Sequence, residues 1–141
     1  MKILVLFCLQ LTGVILTAQP FNGLWTGVIS RDINNVNRTD SIRLQLEQDG
    51  NSITGFSLLK VDSIHFIKAA IKGEYVPSNQ VLRLTEISVM EMNIPDRDEE
   101  IILDRYLLNY DGQKRNELSG KCIPGDNRQH YGRSVIRLHR Y

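Results

Sequence analysis

From Ile42 to Glu47, apolar and polar residues alternate without a fault: Ile42, Leu44 and Leu46 against Arg43, Gln45 and Glu47. Successive side chains of an extended chain point to opposite faces, so this run has one apolar side and one wet side. Asp49-Gly50 follows, a dipeptide that accepts the positive φ of a two-residue hairpin turn. Pairing Gln48 with Asn51 sets Leu46 against Ile53, Leu44 against Gly55 and Ile42 against Ser57. The apolar face then stays on one side of the sheet through the turn, as register requires.

The same period, broken at short intervals by turn residues, predicts six further strands. These are Leu24–Ser30, Ile64–Tyr75, Val81–Val89, Tyr106–Tyr110, Glu117–Cys122 and Ser134–Arg140. Pro77-Ser78-Asn79, Asp111-Gly112 and Pro124-Gly125-Asp126-Asn127 supply turns between them. One stretch satisfies two patterns. Pro95-Asp96 with Glu99 reads as a helix entrance, and Ile101, Ile102, Leu103, Tyr106, Leu107 and Tyr110 fit a helical stripe as well as a strand. The expected fold is all-β, an eight-stranded antiparallel up-and-down barrel. A β-sandwich, or a barrel with a helix near 96–108, are the alternatives. Short turns favour pairing between sequence neighbours, and closure removes exposed edges. Gly27, Gly55, Gly73 and Gly120 suit the bends that closure needs.

Residues 1–18 read as an export signal. Lys2 gives a positive start, Ile3 to Leu16 is almost uninterrupted apolar sequence, and Thr17-Ala18 places small residues before Gln19. The apolar stretch is short for a permanent membrane span and no second one follows, so cleavage after Ala18 and a secreted or periplasmic location are expected. Cys8 sits too early, behind the bulky Phe7, to be a lipoprotein site. Residues 19–141, about 120 in number, suit a single β-barrel domain.

The 17 basic and 16 acidic side chains nearly cancel. Phosphate backbones require a basic excess, so nucleic acid is not an expected partner. Only Cys122 remains after the signal, without a mate for an internal disulfide, and it reads as a buried small side chain.

Gly23-Leu24-Trp25 on the first strand resembles the Gly-x-Trp entrance of lipocalins and related calycins, including avidin-like barrels. Leu44 to Gly55 is similar to a hairpin of small secreted bacterial lipocalin-like proteins of unknown role. The resemblance implies that Trp25 plugs one barrel end beneath a basic side chain from a late strand, with Arg137 and Arg140 as candidates. No avidin-type set of biotin contacts can be traced, so biotin binding is not implied.

Candidate chemistry is sparse. His65, His130 and His139 have no metal-ligand spacing, and Asp96, Asp98 and Glu100 lack the glycine of a calcium loop. No nucleophile elbow or phosphate loop occurs, and Ser57, His65 and Asp62 form a triad only on paper, so no catalysis, metal or cofactor is expected. Asn37-Arg38-Thr39, Asp40-Ser41-Ile42 and Asp62-Ser63-Ile64 match glycosylation tripeptides. By phase, Tyr106, Tyr110, Glu86 and His65 face inward and would line a cavity for a small, partly apolar ligand. In the last strand Ile136 and Leu138 should face in. A slip of one residue would instead bury Arg137, where it could clamp a carboxylate. The expected function is lipocalin-like binding of such a ligand. The rival reading is a protein-interaction module that uses the outward apolar residues Phe56 and Leu58, and an enzyme of unknown class is a third.

Overall fold

The computed structural model describes residues 19–33, 36–94, 103–125 and 131–141. The expected signal, the acidic group Asp96, Asp98 and Glu100, and His130 lie outside these residues. Eight strands follow one another: β1 (Gly23–Ile33), β2 (Val36–Asp49), β3 (Ser52–Lys60), β4 (Phe66–Val76), β5 (Val81–Asn93), β6 (Asp104–Tyr110), β7 (Glu117–Pro124) and β8 (Tyr131–His139). Each pairs antiparallel with its sequence neighbours, and β8 returns to β1, so the sheet is a closed up-and-down barrel. Among the described residues no helix is long and apolar enough to cross a membrane.

Closure follows from the two-residue rhythm. The odd residues Trp25 and Ile29 of β1, and the even residues Ile42, Leu44 and Leu46 of β2, are at most 1 % exposed. They join Ile53, Ile71, Leu82, Leu84, Tyr106, Leu108, Leu118, Ile136 and Leu138 in one core. The segment that fitted helix and strand is settled for its described part: Asp104–Tyr110 alternates buried and exposed along β6. Arg137 is exposed and no slip occurs in β8.

Two details of strand pairing stand apart from the sequence reading. The β2–β3 pairing is two residues further on than expected, with Asp49 against Ser52, Leu46 against Gly55, Leu44 against Ser57 and Ile42 against Leu59. The turn is Gly50-Asn51, with Gly50 at φ +59°. A shift of two keeps every side chain on its face, so the interior is unchanged. The second difference is in β5, where the β4 register breaks twice. Ile71 pairs Glu86 while Ala70 pairs Ser88, and Ala69 pairs Val89 while Lys68 pairs Glu91. Ile87 and Met90 are the extra residues of two β-bulges, which return Val89 and Met92 to the interior side.

Sharp bending brings strands into close approach at glycines. Gly55 has φ +153°, and a Cβ there would lie 1.9 Å from the Gln45 carbonyl oxygen; one on Gly27 would lie 1.8 Å from that of Arg137. Only hydrogen fits at these corners.

Candidate functional site

The barrel has two ends of opposite character. At the end where β1 begins, Phe21 and Trp25 are fully buried. Phe21 packs tilted against Tyr75 and edge-to-face against Tyr110, with ring centroids 4.7 and 4.9 Å away. Trp25 Nε1 donates to the Phe21 carbonyl at 3.0 Å, and the Gln48 side chain accepts from the Phe21 amide at 3.2 Å. The Arg140 guanidinium lies over the Trp25 ring at 4.7 Å. Its Nη1 also donates to the Pro20 and Asn22 carbonyls at 2.8 and 2.9 Å. Arg140 therefore covers the indole, and Arg137 points away from it. This end is plugged.

At the other end the inward positions turn polar. Glu86 Oε1 accepts from Ser57 Oγ and Tyr106 OH, each at 2.5 Å, and Oε2 accepts from the Asp104 amide at 2.9 Å. The third bond has a topological origin. The β5–β6 pairing stops at Thr85–Arg105, and the next residue on β5 supplies a carboxylate to the amide that lost its strand neighbour. Arg31 Nη2 meets Asp104 Oδ2 at 2.6 Å and lies 3.9 Å from Cys122 Sγ. At the rim Arg38 Nε pairs with Asp40 Oδ1 at 3.1 Å.

Burial controls the ionisation of this cluster. It opposes the Arg31 charge, but Asp104 and smaller neighbouring effects outweigh it and the guanidinium stays protonated. The Asp104 carboxyl is raised, first by burial and then by Glu86, with Arg31 acting against both. The Tyr106 phenol is pushed well up by burial and by Glu86, and the Cys122 thiol by burial and Asp104. Neither supplies an anionic nucleophile at neutral pH. Two polar atoms here are buried and have no hydrogen-bond partner among the described residues: Arg31 Nε and Ser134 Oγ. They belong to directly paired residues of β1 and β8.

Of the four side chains expected to line a cavity, only Glu86 and Tyr106 meet. Tyr110 is in the aromatic plug at the opposite end. His65 is outside the barrel, its Nδ1 2.5 Å from Asp62 Oδ2. Two-residue phase had placed it inward, but Val61–His65 is not strand. Asp62 instead makes a tight turn, accepting from the Ile64 and His65 amides at 2.9 and 2.8 Å. Ser57 lies inside the barrel on Glu86, so it does not join that pair. Arg31, Asp104 and Ser134 were missed, although each is in phase with an apolar inward neighbour: Ile29, Tyr106 and Ile136.

A concavity lies on the outer face of β2, β3 and β4. It encloses about 540 Å³ and is lined by Leu24, Phe56, Leu58, Phe66 and the turn residues Asp62–His65, among others. No family model matches the chain, and no curated protein sequence matches it.

Proposed function

We propose that the chain is a lipocalin-like binding protein that holds a small, partly apolar molecule at the Arg31 end of its barrel, without catalysis. The observation that carries this reading is a pair of groups with no partner among the described residues, Arg31 Nε and Ser134 Oγ, on directly paired residues of β1 and β8. A buried polar group without a partner costs about 1–3 kcal/mol, so a ligand atom that satisfies both gains affinity there. Apolar side chains share the interior side of the barrel with them. Leu59 packs on the core, while Val89 and Met92 are 36 % and 48 % exposed.

Charge narrows the ligand. One guanidinium already faces two carboxylates, Asp104 directly and Glu86 one bond further on. A ligand anion would have to be desolvated beside the buried carboxyl groups of Asp104 and Glu86. An uncharged oxygen, such as a carbonyl or hydroxyl on an apolar body, accepts from Arg31 Nε and bonds Ser134 without that penalty. The raised thiol and phenol support binding rather than chemistry. In this reading the protein works outside the cytoplasm, since residues 1–18 have the composition of an export signal.

Native mass spectrometry of the purified protein tests the proposal. A co-purified uncharged molecule is expected, along with displacement by 2-decanone that shifts the Arg31 Nε–H resonance. Ser134→Ala should weaken the ketone several-fold. An empty protein whose Arg31 resonance ignores 2-decanone would overturn the reading.

A further inference from the structure

The geometry points to the outer concavity as a separate site, one for an organic anion with an apolar body. Leu58 lines its floor. Phe56 and Lys60 lie two residues to either side along β3, so all three point outward. Across the strands Leu58 pairs Arg43 of β2 and Lys68 of β4, which share its face. Phe66 pairs Lys60, and Leu24 completes an apolar floor.

The floor is walled on one side. The turn after β3 is held rigid by Asp62, by the Val61 amide on the His65 carbonyl at 3.0 Å, and by Asn93 Nδ2 on the Ile64 carbonyl at 2.9 Å. Ile64, 62 % exposed, stands on this wall. The outer surface of a closed barrel is convex by itself; the braced turn makes it concave here, and its volume of about 540 Å³ falls in the range of small-molecule sites, roughly 300–1,000 Å³.

The charges identify the occupant. Arg43, Lys60 and Lys68 line the site against two carboxylates, Asp62 and Glu91. Asp62 is committed to two amides and His65. Lys68 holds its ammonium 4.3 Å over the Phe56 ring, so cation and apolar floor are already joined. An alkyl or aryl carboxylate or sulfonate matches this surface: its body covers Leu58 and Phe56, and its head lies among Arg43, Lys60 and Lys68. The preference is opposite to that proposed for the interior, where an uncharged head is favoured, so the two sites can be told apart.

The experiment titrates the isotope-labelled protein with decanoate and, as its uncharged match, 1-decanol, following amide resonances. Decanoate is expected to shift Phe56, Leu58, Lys60 and Ile64 saturably. The double variant Arg43→Gln/Lys60→Gln should weaken it about fivefold, the size of exposed charge contacts, and leave decanol unchanged. Both replaced side chains are exposed, so the fold is expected to survive. Equal binding of decanol at these amides, decanoate shifts confined to the Arg31 end, or no shifts at all would overturn the proposal. So would the same amides moving with protein concentration alone, which would make a second copy the occupant. Shifts near Ser134 report the interior site in the same spectra, so either proposal can fail alone.

Discussion

Among single residues, Glu86 is the hub of the polar interior end. Its carboxylate satisfies two hydroxyls and one amide at the point where β5 and β6 part. Tyr106→Phe removes one charge-assisted bond and should cost about 1.5–3 kcal/mol in urea unfolding. Glu86→Ala strands three donors and should cost about 3 kcal/mol or more. Equal losses for the two variants would show that Glu86 is not the hub. Asp62 carries the clearest pH dependence. The His65 side chain, then the His65 and Ile64 amides, lower its carboxyl to about 2. A carboxyl lowered on folding stabilises the turn above the ordinary carboxylate range and stops doing so as pH falls through its folded value. The Ile64 and His65 amide resonances should therefore move with a midpoint of about 2. A midpoint in the ordinary carboxylate range would mean the turn is open in solution. The sequence rhythm assigned Glu86 and Tyr106 to the interior, since each continues a row of buried neighbours. It did not reveal Arg31 and Asp104, because alternation shows which side a residue faces and not how deep it lies, and composition alone gives no sign that a charge is buried with its counter-ion.

At the level of elements, the hairpin of β2 and β3 was the most legible part of the chain, yet its register was misjudged by two. The dipeptide Asp49-Gly50 suggested a turn centred one residue too early; the observed one uses Gly50-Asn51. Side-chain period detects an odd slip and is blind to an even one. The bulges of β5 were hidden for a related reason. Ile87, Val89, Met90 and Met92 put apolar side chains on both phases of the strand, so alternation there does not single out one inward row. Glycine corners were visible as small residues, but their necessity rests on backbone approach. Gly55→Ala combines a forbidden φ with a Cβ only 1.9 Å from a carbonyl oxygen. It should cost about 2–4 kcal/mol by denaturant unfolding, whereas alanine at Gly112, with open space around it, should be nearly neutral.

For the whole molecule, stability depends on joining the first strand to the last. The β1–β8 seam carries Gly27 against Leu138 and Ile29 against Ile136, so the core is incomplete until the final strand docks. Such long-range pairing implies slow folding compared with helical chains of the same size. The plug beneath the seam offers an optical probe, because Trp25 is the sole tryptophan. Arg140→Ala removes its cover and two bonds to the entering chain, and should shift its emission to the red while costing about 1–3 kcal/mol. Unchanged emission would show that the indole is sealed without the arginine. Those two bonds, to the carbonyls of Pro20 and Asn22, also hold residue 140 against the chain just before β1. The stretches just before β1 and just after β8 are thus within bridging distance of a few linking residues. A circularly permuted gene that fuses Tyr141 to Gln19 and reopens the exposed turn at Ser78 should still yield the same barrel.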